Sequence, residues 1–349
     1  MTRLVMALVL GAAVAAGCTP AVTRPPVTFA VLAGAYYSAR GDAAVEGAVV
    51  EDSETLLSRA VADVNARENV DFVLVAGDLL ARAEPISLDR ARAMLEELQP
   101  PYFVVLGDHD GPAPPRDGDA DRDATPPEEP ARSPQPAGLS RSTVLWTFQG
   151  RGIDGPRGYW VRRVDPGIVV VGLDTVNPGR RAGHVDARQL AWLDETLSRH
   201  PGRMVVVVAH HGLVPLHPLD EGEAWSPLLV DNAEEVRQVL ARHPNVVMVV
   251  TAHHHFAGGR IAGRIVYLAS PSISVWPMAY HLVRVDREEA EAVWVSLAPA
   301  ALARRGQERL LGSQRYRGVF PKGEDGDTAC VRLFGGNKMK TYRLPAIRP

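Results

Sequence analysis

The 349-residue chain predicts an α/β layered domain, and three observations carry that reading. Short β-branched apolar runs alternate with segments whose apolar residues fall at helical spacing. Four of those runs end in a cluster of Asp or His residues, as at His210-His211. Charged residues at 23% and hydrophobic residues at 46% suit a globular chain long enough for one large domain with extensions.

The first strand is expected at residues 27–32. Residues 51–67 carry Leu56, Leu57, Ala60, Val61 and Val64 at helical spacing. The run 72–75 reads as a buried strand and leads to Gly77-Asp78. A helix is expected over 88–98, with Ser87 as its cap. The run 103–106 leads to Gly107-Asp108-His109-Asp110. Residues 168–173 form the next strand, and Asp174 caps the loop behind it. Asp186 and Gln189 make a capping box before Leu190, Trp192, Leu193 and Leu197. The run 205–208 leads to His210-His211. Asn232 and Glu235 repeat the capping box before Val236, Val239 and Leu240. The run 246–250 leads to Ala252-His253-His254-His255. Strands follow at 264–269, 280–286 and 292–297, the last two as neighbours joined by Arg287-Glu288-Glu289.

Three segments stand apart. Arg3 precedes an apolar run over 4–16 and then Ala15-Ala16-Gly17-Cys18. The run is short for a bilayer span and suits a signal peptide. Small residues before a cysteine resemble a bacterial lipobox, with residues 1–17 removed, Cys18 lipidated and 18–26 a tether. An ordinary secretory signal with an incidental cysteine is the alternative. Thr19 is not the aspartate linked to inner-membrane retention, so the outer membrane, on its periplasmic face, is favoured. Residues 111–138, rich in Pro, Asp, Arg and Glu, read as a disordered insertion. Residues 301–349 hold eleven Lys and Arg against four Asp and Glu, a basic extension beyond the domain at 27–300. A net charge of -3 gives no reason to expect nucleic-acid binding. Cys330 remains as a lone thiol, read as buried and inert.

In open α/β sheets, ligand sites gather beyond the carboxyl ends of strands. Four Asp/His clusters at four strand ends can therefore converge. Asp and His are the ligand set of Zn, Mn or Fe.

The ordered blocks Gly77-Asp78, Gly107-Asp108-His109-Asp110, His210-His211 and Ala252-His253-His254-His255 resemble those of the calcineurin-like metallophosphoesterases, in particular the cyclic-nucleotide phosphodiesterase-like branch. The resemblance runs from about Val27 to about Leu297. It implies a four-layer α/β/β/α sandwich with two mixed β-sheets between helices. It also implies one or two divalent metal ions that bind phosphate and activate a water for attack on phosphorus. By position, Asp78 is the bridging ligand and Asp108, His210 and His253 complete one site, with His255 in the other. His109 protonates the leaving oxygen and Asp110 holds its imidazole. His211 and His254 point elsewhere, as supporting residues.

The first family block, D-x-H, falls at Gly34-Ala35-Tyr36. Glycine stands for the aspartate and tyrosine for the histidine, so one metal site keeps its ligands and the other is left with Asp78 and His255. Tyr36 or Tyr37 either ligates as a phenolate or fills the vacated space. Asp108 replaces an asparagine. Three functions stay open: a metal-dependent hydrolase of phosphomonoesters or phosphodiesters, an inactive fold that binds a ligand or envelope partner, and a one-metal enzyme whose substrate brings the second ion.

Overall fold

The computed structural model describes residues 26–111, 138–178, 180–222, 228–313, 328, 330 and 340–343. The proposed leader, Cys18, nearly all of the 111–138 insertion and much of 301–349 lie outside them.

Alternate residues along the central strands join different cores, and this sorts the strands into layers. Two six-stranded sheets form. The first holds β1 (Val27–Leu32), β2 (Phe72–Ala76), β3 (Tyr102–Val105), β10 (Ala279–Val285), β11 (Glu289–Ser296) and β12 (Lys340–Arg343). Its order is β12-β11-β10-β1-β2-β3. The second holds β4 (Trp160–Asp165), β5 (Ile168–Gly172), β6 (Met204–Val208), β7 (Val246–Thr251), β8 (Gly258–Ala262) and β9 (Ile265–Ala269). Its order is β4-β5-β6-β7-β9-β8. In both, a parallel centre meets antiparallel neighbours, so both sheets are mixed, as expected.

Met204, Val206, Val208, Met248, Val250 and Leu268 join one core with Phe29, Val31 and Leu74 of the first sheet. Their neighbours Val205, Val207, Val249 and Tyr267 belong to a second core. That second core takes Leu193 and Leu197 from α4 (Ala187–Ser198) and Val236 and Leu240 from α5 (Ala233–Ala241). On the first sheet, α1 (Ser53–Asn65) contributes Leu56, Leu57, Ala60, Val61 and Val64. The helix α2 (Pro85–Glu96) contributes Leu88, Ala91 and Leu95. Parallel strands need such crossovers, and the helices cover the outer faces.

Some local expectations are corrected. The helix α2 begins at Pro85, which suits a first turn, and Ser87 lies inside it, its Oγ accepting from the Ala39 N–H at 3.1 Å. Asn232 precedes α5 without capping it, because its side chain bonds both the N–H and the carbonyl of Val185. Asp186 does cap α4, accepting from Gln189 N–H at 2.7 Å. Asp174 accepts from Val176 N–H and binds Arg141, a residue of α3 (Arg141–Thr147). The helix α6 (Ala300–Gly312) and β12 lie within the basic C-terminal segment, and β12 extends the first sheet beside β11. Among the described residues, no helix is long and apolar enough to cross a membrane.

Candidate metal centre

Each residue of the centre leaves the end of a strand. Tyr36 follows β1, Asp78 follows β2 and Asp108 follows β3. His210 follows β6, and His253 and His255 follow β7. The site therefore straddles the carboxyl ends of both sheets. Four of these non-glycine residues are left-handed: Tyr36 (φ 45°), Asp78 (52°), His253 (65°) and His255 (67°). That conformation is uncommon outside glycine and clusters at functional sites. Two glycines leave the room. A Cβ on Gly77 would stand 2.4 Å from His210 Nδ1, and one on Gly107 would stand 2.1 Å from Asp78 Oδ1.

The donor atoms are close. His210 Nε2 lies 3.2 Å from Asp108 Oδ1, 3.4 Å from Asp78 Oδ2 and 3.0 Å from His253 Nδ1. His253 Nδ1 lies 3.3 Å from Asp108 Oδ1. Ligands about 2.0–2.1 Å from one tetrahedral cation sit roughly 3.3 Å apart. Asp108, His210 and His253 therefore fit a shared divalent ion, while Asp78 stands 3.4 Å from His210 and groups with Asp108 and His109. His210 is oriented for it, since its Nδ1–H donates to the Ala76 carbonyl at 2.9 Å and leaves Nε2 inward.

Electrostatics agree. Burial opposes ionisation of Asp78, yet the charges of His210 and His109 hold its carboxyl well below the usual carboxylate range. Burial likewise opposes Asp108, which His253 and His210 pull far down. Burial disfavours charged His210, but Asp78 and Asp108 hold its imidazole well above the usual value. The pocket thus favours a positive charge at its centre.

His255 does not point at this cluster. Its Nε2 lies 2.6 Å from the Tyr36 hydroxyl, which donates to Asp78 Oδ2 at 2.7 Å. Tyr37 lies apart, donating to Glu54. At Gly34 (φ 55°), a Cβ would stand 2.6 Å from Ser272 Oγ, which donates to the Gly34 carbonyl.

The expected partnership of His109 and Asp110 is corrected. Both Asp110 oxygens accept backbone N–H groups, from Leu80 and Gly107 at 2.9 Å each. Burial and the charge of Asp78 push its carboxyl up to about 6. The His109 Nδ1–H donates instead to the Ala81 carbonyl at 3.1 Å. Burial lowers the His109 pKa, but Asp78 and Asp108 outweigh it and the imidazole is raised.

His211, expected to point elsewhere, has a ring nitrogen within the group formed by Asp108, His210 and His253. Its Nδ1 lies 2.9 Å from Thr175 Oγ1, and its buried Nε2 has no hydrogen-bond partner among the described residues. Burial holds His211 neutral. His254 does turn away, its Nε2 lying 3.4 Å from Asp220 Oδ1. The exposed His184 binds Asp231 at 2.7 Å.

Two mixed sheets flanked by helices, with a buried Asp/His cluster over their strand ends, have the layout of a metal-dependent hydrolase. The chain belongs to the calcineurin-like phosphoesterase family, whose model matches residues 51–257, more than half of its length. That family's chemistry is metal-dependent hydrolysis of phosphoester bonds. A curated protein of Synechococcus sp., named a probable cyclic nucleotide phosphodiesterase, is 24% identical over 140 residues. That match covers 40% of this chain and 42% of the relative, so it spans less than half of the relative's length. Among solved structures, a dimetal phosphatase of Danio rerio superposes with a TM-score of 0.59 at 17% identity, covering 79% of this chain and 98% of that one. PhoD superposes at 0.50 and 12% identity, covering 80% and 68%. These two likenesses are of fold alone.

Proposed function

We propose that the chain hydrolyses phosphomonoesters or phosphodiesters outside the cytoplasm, using one intact cation site at Asp78, Asp108, His210 and His253 and a second site weakened by the loss of the first block. The observation that carries this reading is the set of donor separations, 3.0–3.3 Å among Asp108, His210 and His253, with Asp78 3.4 Å from His210.

A divalent cation bound there supplies a Lewis acid that lowers the pKa of a water and draws charge from a phosphoryl oxygen. Manganese, iron and zinc all suit the donor set. The remaining work falls to the chain. Asp78 and Asp108 hold the positive charge in place, and the Ala76 carbonyl fixes the His210 ring. The Ala81 carbonyl fixes His109 through Nδ1, which leaves Nε2 to give a proton to the leaving oxygen. Giving that proton needs the imidazolium form, which burial disfavours and the charges of Asp78 and Asp108 favour.

The substrate is a phosphorylated small molecule or another phosphoester, and the name of the Synechococcus relative makes cyclic nucleotides worth testing. Lipidation at Cys18 ties the domain to the envelope, with the outer membrane favoured. Support comes from Arg3, the apolar run over 4–16 and the small residues before Cys18.

Hydrolysis of bis(p-nitrophenyl) phosphate with added Mn, lost in His210→Ala and in His109→Ala, is the expected result. No turnover with any divalent ion, from folded and metal-loaded protein, would overturn it. The Tyr36 hydroxyl between Asp78 and His255 favours a second reading, an inactive phosphoesterase fold that binds a ligand or envelope partner. Binding of a phosphoester without turnover is its signature.

A further inference from the structure

The geometry points to the Tyr36 hydroxyl as a built-in replacement for the second cation, so that the chain carries one metal ion and holds Asp78 and His255 by hydrogen bonds instead. This rests on the one-cation reading above and goes beyond it. There the second site is only weakened, and an ion brought by substrate could still complete it. Here its place is taken by a side chain.

Four observations carry the inference. First, Asp78 and His255, the two surviving ligands of that site, both spend an atom on the same phenol oxygen, at 2.7 and 2.6 Å. The phenol O–H goes to Asp78 Oδ2, so the hydrogen bond from His255 must use an Nε2–H. A metal at that nitrogen would have to displace the proton as well as the phenol.

Second, the phenol ring is held in place. Tyr36 is 2% exposed, and its ring stands edge-on to His109 at 5.0 Å and to His255 at 5.4 Å. Swinging it out to admit an ion would expose a large buried ring and break both hydrogen bonds.

Third, the lost aspartate cannot return. Position 34 is left-handed, and a Cβ there would meet Ser272 Oγ at 2.6 Å and Ser272 Cβ at 3.0 Å. Ser272 Oγ is committed to the Gly34 carbonyl at 2.7 Å and also accepts from the Val275 N–H. The fold has closed over the space a carboxylate would need.

Fourth, the intact cation site does not depend on the exchange. Its donors Asp108, His210 and His253 meet one another at 3.0–3.3 Å without Tyr36, and Asp78 Oδ2 faces both the phenol at 2.7 Å and His210 Nε2 at 3.4 Å.

The test is metal stoichiometry of the full domain. Wild type, Tyr36→His and Tyr36→Phe are loaded with Mn and measured by elemental analysis, with and without inorganic phosphate. An imidazole is shorter than a phenol by roughly 2 Å, about one metal–nitrogen bond. Tyr36→His therefore opens space for an ion and offers it three protein ligands with Asp78 and His255, enough for an open site. The expected result is one equivalent in wild type, unchanged by phosphate, and two in Tyr36→His.

Two equivalents in wild type, or a second one appearing with phosphate, would overturn the inference while leaving the proposed function intact. One equivalent in both proteins would also overturn it, because something other than Tyr36 then limits the count. No metal in folded wild type would fail the cation site itself and the proposed function with it.

A second readout does not need the histidine variant to fold. Wild type loaded with ferric iron should show no visible phenolate-to-iron band. A strong band absent from Tyr36→Phe would make Tyr36 a ligand and end the inference.

Discussion

Nε2 of His210 stands 3.0 Å from Nδ1 of His253, although the two residues are 43 positions apart and leave different strands. Two imidazole nitrogens so close, with Asp108 Oδ1 at 3.2 and 3.3 Å from them, can share a proton between them and are equally placed to ligate one cation. Replacing either should remove the cation. For His210→Ala, apparent metal affinity should fall by more than the roughly 10–100-fold typical of losing an outer partner. Titration of metal into the apo variant, alongside turnover, measures both.

The Thr175 hydroxyl holds His211 from two directions, at 2.9 Å to Nδ1 and 3.2 Å to its N–H. Thr175→Val keeps the shape and removes both contacts. Stability should drop by about 1–3 kcal/mol, since the buried partners are left unsatisfied. Metal affinity should fall with it as His211 loosens beside Asp108, His210 and His253. Denaturant melts with and without Mn would separate the two effects.

Gly107→Ala should damage fold and site together. Its Cβ would press on the Asp78 carboxylate at 2.1 Å and on the Asp78 backbone nitrogen at 2.4 Å. Overpacking of this kind costs about 1–3 kcal/mol, and the displaced Asp78 should weaken the cation further. Gly312→Ala is the matched control, since nothing among the described residues lies within 4 Å of its Cβ. Thermal melts of the two proteins should move in opposite directions or differ sharply in size.

Acid should release α6. Arg309 grips Glu51 through two bonds of 2.7 and 2.8 Å and also donates to the Ala48 carbonyl. The hydrogen bond from Arg309 outweighs burial and holds the Glu51 carboxyl below its ordinary 4.5. A lowered carboxylate adds stability above its unfolded value and loses it as pH falls through the folded one. The melting-temperature gap between wild type and Glu51→Gln should be present at pH 7 and close below pH 4.5. It should be small and salt-sensitive, because both side chains are well exposed.

The sequence displays what is buried on both faces. The runs that became β2, β6 and β7 are buried at every position, so continuous apolar stretches reveal them. The outer strands β4 and β8 of the second sheet escaped notice because Arg162, Arg163 and Arg260 interrupt any apolar pattern. The helix α6 buries only Gly306 and Leu310 and leaves an equally faint trace. At the site, residue types and their place after strands were legible at Asp78, Asp108, His210 and His253.

Less legible was anything that depends on how a left-handed residue aims its side chain. The destination of the Tyr36 hydroxyl and the inward turn of His211 both belong there. Asp110 was assigned by adjacency to His109, yet two backbone N–H groups compete for its oxygens and win.

The strand β1 lies in the middle of its sheet, yet one of its two neighbours is β10, with Val27 opposite Val285 and Val31 opposite His281. The strand β1 must therefore wait for β10 before it is flanked on both sides. Pairings this distant in sequence slow folding, because the loop between them must be ordered before the contact rewards it. Until β10 arrives, Phe29 and Val31 have only half a sheet to cover them, and Tyr36 has no settled strand end from which to reach Asp78. A ribosome releasing this chain delivers the two halves of the centre at different times. The centre has all its residues only after His255, and β1 has both its neighbours only after β10.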